Sequence, residues 1–293
     1  AVLAGLILAL PLLFDPPWVQ AGNRFHERNH TGLLALYGFD DGQRSENFKP
    51  MIARDYTDLD LLGDLTTSTT SIEWSEQRAG FTISSTGGGM RASSRATTTK
   101  LLSRLSDSMS IEIFIVSPDN PGGNVLIAGF GDWAAGSAFQ PCTSGASSTE
   151  GGWRIFSAQG TTIRVQAIIS VNGVPECVDV NFVTIAGSLR HCVIRSRPGE
   201  FGVFSHGDTD VAEDNSISFS PSLWARNPTH LVFGVPHPME SWTGSVYMLA
   251  VYDRFLSDVE AAQNYVYGPP NSLAVTTTSS LAVTEDVTAT LFP

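Results

Sequence analysis

Hydrolysing a glycosidic bond takes two carboxylates facing one another across a cleft, at a separation set by the mechanism. The chain offers Glu73 and Glu76, within Glu73-Trp74-Ser75-Glu76, and a lone Glu112. Odd spacing puts Glu73 and Glu76 on opposite faces of any strand they share. Glu112 has no acidic residue two positions away on either side. No Gly-x-Ser-x-Gly turn supplies a serine nucleophile. Gly87-Gly88-Gly89 lacks the Lys-Ser/Thr that completes a phosphate loop and reads as a turn between strands. The six histidines are read as scattered, with no metal-ligand set among them. These residues point away from catalysis, and the chain is expected not to be an enzyme.

Residues suited to binding are easier to find. Trp133 and Trp242 stand next to glycine and polar residues, and an aromatic face beside polar groups suits stacking on a sugar or contact with a protein. Both are candidate ligand-stacking residues, against the alternative that they fill a core. The three cysteines form no C-x-x-C pair. Either all are free and buried, or one bridge forms; Cys142 and Cys177, both beside loop-like sequence, are the preferred pair. Cys192 falls in a strand-like run and reads as structural.

The elements carrying these residues follow from composition and pattern. The chain of 293 residues is 42% apolar and 16% charged, with a net charge of −12. That is a folded, β-leaning composition. A phosphate-binding surface needs clustered Lys and Arg, and no such cluster is visible along the sequence, so nucleic acid is not expected as a partner. Ala1 to Phe14 is an uncharged apolar stretch, too short to span a bilayer comfortably. It reads either as the apolar part of a signal peptide or as a retained segment covered by another chain. Asn29-His30-Thr31 is a sequon, making Asn29 a candidate glycosylation site and agreeing with an extracellular location.

Three parts are expected: an apolar segment and linker over 1–31, a main domain over 32–268, and a β-rich tail over 269–293. Gly268-Pro269-Pro270-Asn271 is the breaker before the tail, in which Ser272-Leu273-Ala274-Val275-Thr276 recurs as Ser280-Leu281-Ala282-Val283-Thr284. Within the domain, short apolar runs read as strands over 111–116, 125–130, 153–158, 163–171, 177–183, 191–197, 201–206, 230–233 and 246–252. Asn172-Gly173 and Pro198-Gly199 look like hairpin turns. Ser257 followed by Glu260 predicts a capping box opening a helix of two or three turns that ends before Gly268.

The segment Gly244-Ser245-Val246-Tyr247-Met248-Leu249-Ala250-Val251-Tyr252-Asp253-Arg254-Phe255-Leu256-Ser257-Asp258-Val259-Glu260 resembles the closing strand and helix of laminin-G-like domains, members of the concanavalin A-like group. Residues 32–42 are similar to that family's first strand, 109–118 to an inner strand and 190–211 to its long hairpin. The resemblance covers roughly 32–268. It implies an all-β fold: a two-sheet antiparallel jelly-roll sandwich with one short C-terminal helix and a β-rich tail. Calcium-binding relatives use acidic residues near such strand ends, which makes Asp40 and Asp41 candidate calcium ligands, although a calcium site needs further oxygen donors. No other cofactor is expected.

The expected role is therefore that of a non-catalytic extracellular structural or adhesive module, part of a filament or surface assembly. Its partners would be copies of itself or other extracellular proteins. The alternative is a carbohydrate-binding module of a larger secreted protein, with glycans as partners. Residues 1–14 and 272–293 are expected to make contacts between protomers.

Overall fold

A computed structural model describes residues 28, 30–38, 52–53, 57, 65–67, 72–74, 80–83, 89–92, 101, 103–116, 125–131, 153–157, 162–172, 174–183, 189–205, 208–213, 217–218, 230–234 and 242–269. In chain order the strands are β1 (Leu33–Tyr37), β2 (Ile52–Ala53), β3 (Leu65–Thr67), β4 (Ile72–Trp74), β5 (Phe81–Ile83), β6 (Gly89–Ala92), β7 (Met109–Val116), β8 (Val125–Gly131) and β9 (Trp153–Ser157). They continue with β10 (Thr162–Val171), β11 (Val174–Val183), β12 (Leu189–Arg197), β13 (Glu200–Ser205), β14 (Asp208–Glu213), β15 (Ile217–Ser218), β16 (His230–Gly234) and β17 (Gly244–Tyr252). A helix, α1 (Asp258–Tyr267), follows. All nine strands expected from the apolar runs are present, with ends shifted by a few residues. The strands that the pattern did not show are mostly the shortest, such as β2, β3 and β15, where two or three residues cannot display an alternation.

The strands form two antiparallel sheets. The first runs β14-β13-β12-β7-β17-β5-β4, with β1 also on β17; the second runs β11-β10-β9-β8-β16-β6-β3-β2, with β15 on β10. The core lies between them. Met109, Ile111, Ile113 and Ile115 of β7 meet Ile155 of β9 and Ile163 and Val165 of β10 in one buried cluster. Each such side chain, fully buried, contributes roughly 1.5–3 kcal/mol. Two of the turns are those the sequence marks. Asn172 turns β10 into β11 with φ 52°, and Gly199 turns β12 into β13 with φ 81°, a conformation that costs glycine little.

The other face of the first sheet is also buried. Phe114, Val193, Phe204, Met248, Ala250 and Tyr252 form a second cluster with Leu256 and with Ala261 of α1, so the helix lies on this outer face. A bulge in β17 makes the two faces compatible. Val246 pairs with Ile115 and Met248 with Phe114, leaving Tyr247 as an extra residue. Val246 and Leu249 thereby face the inner core, while Tyr247 and Met248 both join the outer cluster.

The helix starts as its sequence predicts. The Ser257 hydroxyl accepts from the Glu260 amide and the Glu260 carboxylate accepts from the Ser257 amide at 2.9 Å. Arg254 Nη1 donates to Glu260 Oε2 at 3.0 Å and Nη2 forms an ion pair with Oε1, which holds that carboxyl at about 2 despite the opposing effect of partial burial. The helix ends at Gly268, whose amide donates to the Asn264 and Tyr265 carbonyls.

Candidate functional site

Alternation along β7 puts Ile111 and Ile113 in the inner core and therefore turns Glu112 to the outer face, beneath α1. There Glu112 is completely buried. Its neighbours follow from register. Glu112 pairs with Val193 of β12 and Ala250 of β17, so His191 and Tyr252, two residues along those strands, flank it diagonally. Oε1 accepts from Arg28 Nη1 at 2.7 Å and lies 2.7 Å from His191 Nε2. Oε2 accepts from the Tyr252 hydroxyl at 3.0 Å and from Asn264 Nδ2 of α1 at 3.1 Å. An ionised carboxylate offers about four acceptor sites, and here all are filled.

Burial alone would raise the Glu112 carboxyl. The Arg28 charge and the hydrogen bonds from His191 and Arg28 outweigh it and bring the carboxyl down to about 2. Desolvation pushes His191 the other way, below its ordinary value, so its neutral form is favoured. Since the carboxylate only accepts, the His191 proton sits on Nε2. The imidazole lies 4.5 Å from Phe114 and 5.7 Å from Tyr265, ring centre to ring centre. Burial and the Glu112 charge push the Tyr252 phenol up. The Glu112 carboxylate is thus neutralised and saturated, whereas His191 Nδ1 and Asn264 Oδ1, both buried in the same cluster, have no hydrogen-bond partner among the described residues. The cluster contains a Glu–His pair, but the carboxylate has no acceptor site left for a substrate proton and no water-exposed edge. What it does is join three segments: the sheet, α1 and the chain before β1.

Arg28 is the third of those segments, and it moves the expected domain boundary. It is 4% exposed, donates to the carbonyls of Asn264 and Gly268, and lies 5.4 Å from the centre of the Phe114 ring. The packed unit therefore begins before residue 32. Arg28 also lies within a spacing that the histidine reading overlooked. His26-Glu27-Arg28-Asn29-His30 matches H-E-x-x-H, which binds zinc when a helix carries both histidines on one face. Arg28 lies in a bend and His30 outside any helix, immediately before the turn into β1. Among the described residues, no group of three His, Cys, Asp or Glu side chains stands placed to hold a metal ion.

Of the residues singled out from sequence, Trp242 is corrected outright. Its side chain is fully buried in the inner core, with the ring packed so closely against Gly244 that a β-carbon there would collide with it. It fills the sandwich and offers no face to a ligand. The glycine that suggested an exposed platform is instead the space the indole needs. Asn29, Asp40, Asp41, Trp133 and Cys142 lie outside the described residues, as do the segments 1–14 and 272–293. Cys177 lies on β11 opposite Ile168. Cys192 is a free, buried thiol on the inner face, pushed up by desolvation, which agrees with its structural reading. Glu73 lies on β4 opposite Thr82, and Glu76 is outside the described residues.

The second sheet presents a different outer face. Trp153, Ile155, Ile163 and Val165 are inner-core residues, so Arg154 of β9 and Arg164 and Gln166 of β10 occupy positions on the opposite face. Pairing extends one row across the sheet, from Asp179 through Gln166, Arg154, Gly129 and Val232 to Arg91. The strands β2, β3, β6, β8, β9, β10, β15 and β16 contain Arg91, Arg154 and Arg164 and no Asp or Glu at all; the sheet's acidic residues, Glu176 and Asp179, are confined to its edge strand β11. Sequence reading missed this grouping because the arginines are 10 to 73 residues apart in the chain and only the register brings their positions onto one face.

No protein-family model and no curated protein matches the chain. Solved structures do. The ligand-binding domain of botulinum neurotoxin serotype D in complex with N-acetylneuraminic acid superposes with a TM-score of 0.52 at 11% identity, over 83% of this chain and 52% of that one. Domain 4 of AbnA, an extracellular arabinanase from Geobacillus stearothermophilus in complex with arabinotriose, gives 0.50 at 14% identity, over 79% of this chain and 97% of that domain. Trypanosoma rangeli sialidase in complex with sialic acid gives 0.50 at 12%, over 83% of this chain and 34% of that one. The chain thus spans about half of the toxin domain and nearly all of the arabinanase domain. At these identities the likeness is one of fold: an antiparallel β-sandwich.

Proposed function

We propose that the chain is a carbohydrate-binding module, without catalytic activity of its own, working outside the cell. The observation that carries this is the match to domain 4 of the Geobacillus arabinanase, a domain of about this chain's extent described with arabinotriose bound. The toxin domain described with N-acetylneuraminic acid supports it. The absence of catalysis is supported by the state of Glu112, whose carboxylate is buried and fully hydrogen-bonded. The closing motif over 244–260 resembles that of laminin-G-like domains, and Asp40 and Asp41 stay our candidates for a calcium-dependent edge. The adhesive or filament role rests on residues 1–14 and 272–293, outside the described residues, so the glycan reading takes precedence over it.

The test is affinity electrophoresis of the full chain through gels containing arabinan, xylan, pectin or sialylated mucin, with release of reducing sugar assayed in parallel. Retardation by at least one polysaccharide, relieved by its free oligosaccharide and without sugar release, is the expected result. Unretarded migration in every gel sinks the reading, and sustained sugar release sinks its non-catalytic part.

A further inference from the structure

The two ends of α1 are held on the first sheet in different ways. Of its ten residues only Ala261 and Asn264 are fully buried, so apolar packing alone holds the helix weakly. Its start is pinned by arginines. Arg195 of β12 donates from Nη1 to the Leu256 carbonyl at 2.8 Å and pairs with Asp258, and Arg254 pairs with Glu260. Its end hangs on Glu112. Asn264 Nδ2 donates to Glu112 Oε2 at 3.1 Å. Arg28, bound to Glu112 Oε1 at 2.7 Å, donates in turn to the carbonyls of Asn264 and Gly268. This second end alone includes an imidazole. His191 is completely buried, with Nε2 2.7 Å from the same Oε1. The Tyr265 ring, itself 39% exposed, stacks on the imidazole at 5.7 Å, so the C-terminal half of α1 stands between His191 and water.

From this arrangement we infer that His191 is an acid-operated release: a proton on its imidazole frees the C-terminal half of α1, and Arg28 with it, from the first sheet while the sandwich stays closed. Among the described residues, the charged and titratable groups around the ring are Glu112 from β7, Tyr252 from β17, Tyr265 from α1 and Arg28 from the chain before β1. β13 presents Phe204, whose ring also meets Arg195, and β12 itself carries Arg190 and Arg195. With the imidazole neutral, Arg28 and Glu112 balance one another. With it protonated, two cations share one carboxylate oxygen, and a positive charge is buried in excess. The added proton arrives at Nδ1, which has no hydrogen-bond partner among the described residues. Burial accordingly holds the closed-state imidazole below its ordinary 6.5, whereas a released His191 meets water. The closed form is therefore at full strength above pH 6.5 and yields as pH falls below it. The inner core that joins the two sheets contains no residue of α1, so it does not depend on this latch.

Amide exchange of the full chain is followed by mass spectrometry at pH 7.5 and pH 5.5, each peptide's rate being divided by its intrinsic rate at that pH. Exchange over residues 261–268 is expected to rise severalfold at pH 5.5, to at most about tenfold, the factor for one pH unit below 6.5. Strands β7, β12 and β17 should keep their protection. Glu112, held at about 2, does not titrate in this window. His191→Gln keeps an amide donor toward Glu112 and cannot take the proton, so the rise should vanish. In His30→Gln, a control in the chain before β1, it should persist. Exchange over 261–268 that ignores pH overturns the inference. So does a rise that survives His191→Gln, vanishes in His30→Gln or is shared by β7 and β12. Slower exchange at pH 5.5 overturns it too, because the proton would then bridge Nδ1 to Asn264 Oδ1 and tighten α1. Should His191→Gln not fold, spectra of the unaltered chain with isotope-labelled imidazoles decide. His191 Nδ1 must gain its proton over the pH range in which α1 opens, and a ring that stays singly protonated there overturns the inference.

Discussion

The two outer faces of the sandwich carry different residue types through the same strand alternation. On the first sheet, the outward positions carry Phe114, Val193, Phe204 and Tyr252, and α1 covers them. One carboxylate is trapped under that helix and is saturated by Arg28, His191, Tyr252 and Asn264. On the second sheet, the outward positions of one row read Asp179, Gln166, Arg154, Gly129, Val232 and Arg91. A charge that is buried must be matched within the fold, because desolvating it unpaired costs several kcal/mol. Substitutions in the cluster on the first face should therefore cost stability.

The contrast is sharpest at Glu112. Glu112→Ala leaves the Arg28 guanidinium buried without its counter-charge, and the expected loss is about 3–5 kcal/mol in urea unfolding monitored by tryptophan fluorescence. A loss below about 1 kcal/mol would mean that water reaches the cluster and that the two faces do not differ as described. Trp242 tests the inner layer between them. Trp242→Ala is expected to cost about 3–5 kcal/mol through the cavity it leaves, and glycan affinity should stay unchanged wherever the variant remains folded. A loss of binding at constant melting temperature would restore Trp242 as a ligand contact.

Acid should separate the faces as well. Glu112 is lowered from 4.5 to about 2, so the stability its pairing contributes is complete above pH 4.5 and disappears as pH falls toward 2. His191 is lowered from 6.5, so the unfolded chain takes up that proton first and stability already declines as pH drops below 6.5. Both slopes have the same sign. Melting temperature followed from pH 7 to pH 3 should fall throughout. In Glu112→Gln the slope below pH 4.5 should be shallower, and an unchanged slope would show that other carboxylates govern acid unfolding.

A smaller effect marks the edge of the comparison. Ser257→Ala removes the cap that holds the start of α1 over the first sheet and should cost about 1 kcal/mol in the same urea titration.

Much of the frame was legible in order of residues alone. Alternating apolar runs located nine strands, Asn172 and Gly199 marked two turns, and Ser257 with Glu260 predicted the start of α1, because each of these signals is local: a side chain acts on backbone within four residues of itself. The sites were legible only in part. Glu112 could be seen to lack an acidic partner on its own strand. That it is the hub of a cluster reaching 84 residues back to Arg28 and 152 residues forward to Asn264 could not be seen. Trp242 was misread because a tryptophan beside glycine looks the same in sequence whether the glycine exposes the ring or makes room for it.

The sequence by itself determined that the chain is all-β, where its longer strands and its helix lie, and that its closing segment resembles a laminin-G-like one. The tertiary structure decided which face each strand presents and to whom. A bulge of one residue in β17 sends Tyr247 and Met248 to the same side, and cross-strand register gathers Arg91, Arg154 and Arg164 from positions far apart in the chain. Pairing between strands is set by the global packing of two sheets around one core, so no local pattern can announce it.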